Sequence, residues 1–558
     1  MSNAVIYMNP EAYRTSVDHL MGRHSAGESF LKGFLQHAAV PDFHLWNIAN
    51  RPVDELETLV KSLKPADKPI NWIQRNNRVA FAEVGAVHIP SPQTAREAWS
   101  RRALGPARYS ITGVTHTTAT SRIMDAVAEL IYAPIEPWDA LICTSRAVRD
   151  SLDVQIAAVR EYLATRLDAR EVPTPQLTTI PLGINVKDFS PPARKRREWR
   201  EKLGIPEDAL VILYVGRLNY TSKMSPAPMA IALERLAKQI KQPVHWILSG
   251  WAANETVEKH YHEETRSACP SVGYHPVDGR EPDTRRSIWA AADIFLSLSD
   301  NLQETFGLTP LEGMAAGLPV VVSDWDGYRD TVRHEIDGFR VATYTPAPGR
   351  GADFAYRHAN EWDHYDIYVG SAAQATAVDL DETVRALLSL AASPDLRKRM
   401  GQSGRERARS TYEWSVIIPQ YQRLWTELER RRSAAEGPST RPSMNNPWRM
   451  DPFRLFAGYP TEFVSYHTMI AKAPGEAPWK TGAALLDSPL VRYARPFLPS
   501  AEELEQIGAA LSRRRQLSMG QLLASFPNRR RQFIERGVLL MAKYGQVLIF
   551  PSAGLLPD

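Results

Sequence analysis

The chain has 558 residues, which is too long for one ordinary domain, and about three folding units are expected. Hydrophobic residues make up 44% of it and charged residues 23%, as in an ordinary soluble globular enzyme. Lys and Arg number 67 against 63 Asp and Glu, and the resulting net charge of +4 does not by itself imply a nucleic-acid or membrane partner.

Two features of the composition predict a cytoplasmic protein. Cys143 and Cys269 alone exclude a disulfide framework and a cysteine zinc site, which suits a reducing compartment. No apolar run approaches 18 residues, and the N-terminus lacks the layout of a signal peptide. Peripheral attachment to the inner face of a membrane, or a contact with another protein, stays open.

Short apolar runs bounded by turn residues recur along the first two thirds of the chain and predict strands covered on both faces. They are Ala4–Met8, Ala140–Cys143, Leu210–Val215, Val244–Leu248, Ile294–Leu296 and Pro319–Val322. Helical periodicity lies between them, as at Met229, Leu233 and Leu236. Strands that alternate with helices predict an α/β class with doubly wound parallel sheets.

Breaks in this pattern divide the chain into parts. The Pro- and Arg-rich segment Ser190–Arg197 is interpreted as a linker between a first lobe, residues 1–190, and a second lobe, residues 195–410. An amphipathic helix is predicted within 411–433, with its apolar side running from Trp414 to Leu428. The polar residues 434–447 indicate a linker, and 448–558 form an accessory C-terminal module.

The C-terminal module contains three predicted helices followed by a strand. These are Ala501–Leu511, Ser518–Ser525, Asn528–Lys543 and Val547–Phe550. With the arginine triplets at 513–515 and 529–531, this order is consistent with a small winged-helix-like module that binds nucleic acid. The alternative, a solvated arginine face, is preferred, so nucleic acid is not the expected partner.

Residues Glu304–Val322 carry the most informative motif. The pattern predicts a loop, a short helix and a strand, with Thr309 as the helix N-cap, Pro310 at its first position and Gly317 as its C-cap. The amino end of such a helix stabilises an anion such as a diphosphate. Two carboxylates, Glu304 and Glu312, flank this anion site.

This motif resembles that of family-4 glycosyltransferases of the GT-B fold, E-x-F-G-x-x-x-x-E-x-M-A-x-G-x-P-V-V. The resemblance covers about residues 1–430 and implies two Rossmann-like lobes that face each other across a cleft, with the 411–433 helix returning to the first lobe. It also implies a role for several residues of the motif. Glu304 lies near the hydroxyls of the donor sugar, Glu312 accepts hydrogen bonds from the ribose, and the amides around Thr305, Phe306, Gly307 and Leu308 hold the donor phosphate. Glu312 has a structural alternative, because Thr309-x-x-Glu312 is also a capping box.

Two cations fit the same resemblance. The segment Leu213–Leu218, at the end of the predicted strand Leu210–Val215, resembles the family's strand–Gly-Arg-Leu element; it contains Arg217, and Lys223 follows in the same loop. In the family these positions bind the leaving diphosphate, on which negative charge develops. A surface salt bridge is the alternative for a loop that holds one arginine and one lysine.

The first lobe carries weaker signals. By resemblance, His116 faces the donor sugar, and Met21–Ser29 corresponds to a glycine-rich loop in which Gly27 allows close approach. Nucleobase contacts are expected near Ser271–His275. Asp324 and Asp326 form a D-x-D triplet, but the resemblance predicts a loop there, and no metal site is expected.

The combined prediction is a retaining, hexosyltransferase-type glycosyltransferase (EC 2.4). It would use a UDP or GDP sugar as substrate, without cofactor or metal, and attack would occur on the front face. The acceptor, whether glycan, lipid, protein or small molecule, is not indicated by the sequence. The alternative is a sugar-nucleotide sensor that acts through its C-terminal module.

Overall fold

A computed structural model describes residues 2–13, 22–63, 67–172, 174–435, 443, 446–476 and 479–550. The chain divides into two compact units, Met1–Met444 and Asn445–Asp558. The first unit contains two parallel sheets, one in each predicted lobe. The α/β class with two Rossmann-like lobes is therefore confirmed.

The sheet of the first lobe has seven parallel strands in the order β3-β2-β1-β4-β5-β6-β7. The strands are β1 (Val5–Met8), β2 (Phe43–Asn47), β3 (Ile70–Gln74), β4 (Ala86–Ile89), β5 (Ser110–Val114), β6 (Ala140–Cys143) and β7 (Gln176–Thr179). The helices around it are α1 (Gly22–His37), α2 (Val53–Leu63), α3 (Val79–Val84), α4 (Ala95–Arg102), α5 (Ser121–Tyr132) and α6 (Arg146–Leu167). The central strands β4, β5 and β6 are buried at every position, which explains the unbroken apolar run of β6, Ala140–Cys143.

The prediction of a glycine-rich loop at Met21–Ser29 is wrong from Gly22 onward. Met21 lies outside the described residues, and from Gly22 onward the segment belongs to helix α1. Gly27 lies inside that helix, where a β-carbon would collide with the carbonyl oxygen of Ala12. The close approach at Gly27 is therefore one of helix against the preceding loop.

The sheet of the second lobe has six parallel strands in the order β10-β9-β8-β11-β12-β13. The strands are β8 (Leu210–Arg217), β9 (Val244–Trp251), β10 (Gly273–Asp278), β11 (Ile294–Ser297), β12 (Val320–Ser323) and β13 (Gly338–Val341), followed by an antiparallel pair, β14 (Thr343–Tyr344) and β15 (Ala377–Val378). The helices are α7 (Arg194–Leu203), α8 (Ala227–Ala237), α9 (Glu255–Ala268), α10 (Pro282–Ser287), α11 (Leu308–Ala316), α12 (Tyr328–Thr331), α13 (Ala352–Ala359), α14 (Tyr365–Gln374), α15 (Leu380–Ala392) and α16 (Pro394–Thr411).

The predicted linker Ser190–Arg197 is shorter than expected. Its last four residues form the first turn of α7. Arg196 and Arg200 of that helix bind the two carboxylate oxygens of Asp293, at 2.6 and 2.8 Å. The arginines therefore anchor α7 to the second lobe.

Helix α17 (Trp414–Ser433) leaves the second lobe and completes the core of the first. Ile417, Tyr421 and Trp425 are buried in that core. Trp414 is also buried, and its Nε1 donates to Ser29 Oγ at 2.7 Å. The amphipathic pattern predicted for this segment thus corresponds to a helix packed against the first lobe.

The C-terminal unit has a three-stranded antiparallel sheet in the order β17-β16-β18. Its elements are α18 (Pro452–Leu455), β16 (Met469–Lys472), α19 (Gly482–Asp487), α20 (Ala501–Arg513), β17 (Leu517–Ser518), α21 (Met519–Leu523), α22 (Arg531–Lys543) and β18 (Val547–Phe550). Arg530 forms a paired contact with Glu503 at 2.6 and 2.7 Å, and Arg531 Nε donates to the Leu523 carbonyl. These two arginines of the second triplet therefore make contacts within the unit, with α20 and with α21.

Across the described residues, no helix combines the length and the hydropathy that crossing a bilayer requires.

Candidate functional site

The two lobes meet through loops that follow β5 and β6 in the first lobe and β11 and β12 in the second. Thr305 Oγ1 donates to the backbone oxygen of His116 at 3.2 Å, and Thr144 Oγ1 donates to that of Thr305 at 3.4 Å. Ser145 Oγ donates to Asp326 at 3.3 Å. Because ligands of open α/β sheets bind beyond the carboxyl ends of the strands, this junction is the candidate site.

Helix α11 starts earlier than the sequence predicted. It begins at Leu308 with Gly307 as its N-cap, and Gly307 has φ +90°. Because Thr309 lies inside the helix, the predicted N-cap is wrong, and the capping-box alternative for Glu312 fails with it. The predicted C-cap is confirmed: the Gly317 N–H donates to the Gly313 and Met314 carbonyls. The amino end of α11 and its dipole thus lie beside the Thr305–His116 contact.

Glu304 and Lys223 form an ion pair in this site. Lys223 Nζ lies 2.5 Å from Glu304 Oε2, and the two side chains are only 16% and 11% exposed. Burial acts to raise the pKa of Glu304, but the Lys223 charge and the amides of Thr305 and Phe306 outweigh it, and the pKa lies below the usual value. Glu304 is therefore ionised and already hydrogen-bonded, which makes it a weak base.

Arg217 is the last residue of β8 and is held by both loops that flank it. Its Nη2 donates to the Ser222 carbonyl and to Gln303 Oε1, each at 3.2 Å. Ser222 belongs to the Lys223 loop, and Gln303 precedes Glu304. The structure therefore brings Arg217, Lys223 and Glu304 together, with two cations beside the amino end of α11.

Glu312, inside α11, is in a different environment. Among the described residues its side chain makes no ion pair or hydrogen bond. Burial raises its pKa to about 7, partly offset by the charges of Arg285 and Lys223. Such a carboxyl has hydrogen-bonding capacity that a ligand can satisfy.

The two first-lobe predictions differ in outcome. His116 lies in the loop after β5, and its backbone oxygen accepts from Thr305, so it belongs to the junction of the lobes. Gly27 lies in α1, where its close neighbours are Ala12 and Tyr13. The part of the loop that precedes α1 lies outside the described residues.

The D-x-D triplet does not present two carboxylates to one point. Asp324 Oδ1 lies 3.3 Å from Arg340 Nε, whereas Asp326 faces Ser145 of the first lobe. Burial raises the pKa of Asp326 well above its usual value, and the charge of Glu304 adds to this. Within the ranges that the structure describes, no group of three His, Cys, Asp or Glu side chains is placed to hold a metal ion.

The prediction that the segment Ser271–His275 contacts the nucleobase also disagrees with the structure. Ser271 binds Glu234 on α8, and His275 Nε2 lies 2.8 Å from His245 Nδ1. Residues 271–275 lie at the amino end of β10, away from the carboxyl ends where ligands bind. A base contact is therefore expected beyond Asp278, at the carboxyl end of β10.

Sequence reasoning missed two residues of this site, Asn301 and Tyr365. Asn301 is fully buried and bonds to the Lys223 loop and to α14. Tyr365 begins α14, and burial raises its pKa to about 12, against the opposing effects of Arg217 and Thr117. A polar residue three positions before Glu304 was the only local signal for Asn301. Nothing in the local pattern indicated Tyr365, because its neighbours are distant in sequence.

Comparison with known proteins supports the interpretation of the second lobe. Residues 195–347 match the family model described as glycosyl transferases group 1. This range contains Arg217, Lys223, Glu304 and Glu312.

Two curated relatives share a name. A D-inositol 3-phosphate glycosyltransferase of Xylanimonas cellulosilytica is 27% identical over 273 residues, 47% of this chain and 62% of that protein. Its namesake from Corynebacterium diphtheriae is 31% identical over 208 residues, 37% of this chain and 48% of that protein. Each alignment spans less than two thirds of the relative's length.

A solved structure of Anabaena HepE in complex with UDP aligns with 76% of this chain and 100% of its own, at 14% identity and a TM-score of 0.48.

Proposed function

We propose that this protein is a retaining glycosyltransferase that moves a sugar from a nucleoside diphosphate to an acceptor hydroxyl, without a metal ion. The observation that carries the proposal is the buried Lys223–Glu304 pair beside Arg217 and the amino end of α11. A leaving diphosphate gains negative charge as the glycosidic bond breaks, and fixed cations and amides stabilise that charge.

The proposed reaction takes place on one face of the donor sugar. The bond between the anomeric carbon and the diphosphate oxygen breaks, and the acceptor oxygen bonds to the same face of that carbon. The acceptor proton passes to the departing phosphate oxygen. Arg217, Lys223 and the amides that begin α11 stabilise that phosphate, and the carboxylate of Glu304 stabilises the positive charge that develops on the sugar.

The protonation state of Glu304 supports this path over inversion. An inverting enzyme needs a general base on the face opposite the leaving group. The low pKa of Glu304 and its contact with Lys223 suit a fixed charge better than a proton acceptor. In this proposal the side chain of His116 faces the donor sugar and takes part in the reaction there.

The proposal names the donor and the acceptor only by chemical class. UDP or GDP sugars are the proposed donors, and a glycan, lipid, protein or small molecule is the acceptor. The chain would need no cofactor, and Glu312 would accept hydrogen bonds from the donor ribose.

The stereochemistry of the first product tests the mechanism. Turnover is first screened with a panel of UDP and GDP sugars, and NMR of the early product then gives its anomeric configuration. We expect retention, and Glu304→Gln to lower kcat more than it raises KM, because its shape is kept and its charge lost. An inverted product would exclude front-face attack, and a trapped glycosyl–Glu304 adduct would replace it with double displacement. Binding without turnover on any donor would instead favour a sensor.

A further inference from the structure

The C-terminal unit exposes a large share of the apolar surface of the chain. Of the 25 large hydrophobic side chains that are exposed among the described residues, 13 lie in this unit, which holds only about a fifth of the sequence. Single exposed apolar residues are normal, whereas a cluster of them marks an interaction surface. Seven of the 13 fall within residues 448–466, which we call the aromatic segment: Trp448, Phe453, Leu455, Phe456, Tyr459, Phe463 and Tyr466.

The aromatic segment is held at one end and packs little elsewhere. Residues 451–463 are all exposed, and helix α18 within them buries no residue. Four helical residues are too few to be stable in water without tertiary contacts. At the carboxyl end of the segment the Tyr466 carbonyl accepts from the Gly520 amide, which fixes this end to α21. The seven apolar side chains therefore lie on a tethered loop and take no part in the buried core of the unit.

The charge of the chain is also unevenly divided. The C-terminal unit has 14 Lys and Arg against 9 Asp and Glu, a net charge of +5, whereas the first unit has 53 against 54. The aromatic segment itself is balanced, because its charged residues are Arg449, Asp451, Arg454 and Glu462. An apolar loop on a positively charged unit is complementary to an anionic bilayer, which supplies both an apolar layer and negative headgroups.

The side-chain types fit the depth profile of such a surface. Phenylalanine and leucine are stable at the edge of the acyl chains, and tryptophan and tyrosine are stable at the level of the headgroups. Arginine extends its guanidinium toward the lipid phosphates while its stem stays in the apolar layer. The aromatic segment contains all of these types within 19 residues.

Nucleic acid fits this unit less well than a bilayer does. The arginines that open α22 would have to contact phosphates in a winged-helix mode. Arg530 is instead paired with Glu503 at 2.6 and 2.7 Å. Arg531 Nε donates to the Leu523 carbonyl. Bases also stack on aromatic rings that line a charged groove, whereas the rings of residues 451–463 lie on an exposed loop together with Leu455.

We propose that the aromatic segment is a peripheral membrane anchor, which inserts its phenylalanine and leucine side chains into the interface of an anionic bilayer. The positive charge of the C-terminal unit attracts the protein to the bilayer, and the apolar side chains hold it there. This inference goes beyond the proposed function and does not depend on glycosyl transfer.

Flotation of the full-length protein with lipid vesicles tests the anchor. One set of vesicles contains equal amounts of phosphatidylcholine and phosphatidylglycerol, and the other contains phosphatidylcholine alone. We expect tighter binding to the mixed vesicles, with a difference that shrinks at high ionic strength because salt screens the attraction. The double variant Phe453→Ser/Phe456→Ser should bind the mixed vesicles at least about tenfold more weakly, because two phenyl rings no longer leave water.

Two further variants make the result specific. Phe453→Leu/Phe456→Leu keeps both side chains apolar and should retain most of the affinity. Tyr162→Ser is the matched control, because Tyr162 lies on α6 of the first unit and is 62% exposed, between the 46% of Phe456 and the 69% of Phe453. It should bind the vesicles as the unmodified protein does.

Three results would overturn the inference. The first is failure of the unmodified protein to bind the mixed vesicles, and the second is equal binding by the serine double variant. The third is binding of poly(U) that falls steeply with salt and is lost in the serine double variant, which would assign the aromatic segment to single-stranded RNA.

Discussion

The loop before α11 and the second turn of that helix each hold one glutamate, in opposite electrostatic surroundings. Glu304 pairs with Lys223, and its pKa is low; Glu312 has no such partner among the described residues, and burial raises its pKa to about 7. The first region thus has its charges in place before a ligand arrives. In the second, the carboxyl keeps its proton up to near-neutral pH, so its contribution to binding depends on pH.

The largest expected effect comes from removing a cation at the Glu304 end. Arg217→Ala or Lys223→Ala should cost roughly 2–4 kcal/mol of transition-state stabilisation, because a fixed charge beside the leaving group is lost. Comparing kcat/KM for the variants and the unmodified protein gives this value. Lys259→Ala is the control, since that lysine forms an exposed pair with Glu263. Unchanged turnover in a folded double variant of Arg217 and Lys223 would contradict the proposal that the charges at the Glu304 end stabilise the leaving group.

A smaller effect is expected from pH at the Glu312 end. The raised pKa means that this carboxyl is protonated below about pH 7 and ionised above it. An ionised carboxylate accepts hydrogen bonds from both ribose hydroxyls, so nucleotide-sugar affinity should rise several-fold between pH 6 and pH 8. Calorimetric titration at a series of pH values measures this step.

Two variants assign that pH step. Glu312→Gln should abolish it, because an amide does not titrate. Burial also raises the pKa of Asp300 to about 7, so Asp300→Asn is the control and should leave the step in place. A step lost in Asp300→Asn and kept in Glu312→Gln would assign the titration to Asp300 and contradict the prediction for Glu312.

The smallest effect is expected from the C-terminal unit. A chain that ends at Ala435 should bind the donor within about twofold of the full-length protein, because the site residues all lie in the first compact unit. Binding of the same nucleotides to the two proteins measures the difference. A large loss of donor affinity in a folded truncated protein would show that residues beyond 435 contribute to the site.

The sequence predicted the parts of the fold that depend on local pattern. The apolar runs at Ala140–Cys143 and Val244–Leu248 are strands because a parallel sheet buries both faces of each strand. The predicted start of α11 was wrong because Gly307, with φ +90°, is the N-cap, so that the helix begins at Leu308, before the predicted cap Thr309. The basic run Arg194–Arg197, which forms the first turn of α7, was predicted to be linker because Asp293, the partner of Arg196, lies far away in sequence.

The candidate site shows the same division. A contiguous motif and one strand end were enough to predict four candidate donor-site residues: Glu304, Glu312, Arg217 and Lys223. The Lys223–Glu304 pair and the bonds of Asn301 to Thr221 and Val369 were not predicted, because each joins segments that are distant along the chain. Such contacts leave no periodic signal in a single sequence.

The return of α17 to the first lobe has a consequence for biosynthesis. The core of that lobe includes Trp414, Tyr421 and Trp425, which leave the ribosome more than 200 residues after β7. The second lobe is complete in one stretch of sequence and can fold as soon as it is synthesised, whereas the first must wait for its last helix. We therefore expect the lobe encoded first to reach its native state second, with the surface that α17 covers exposed in the nascent chain until then.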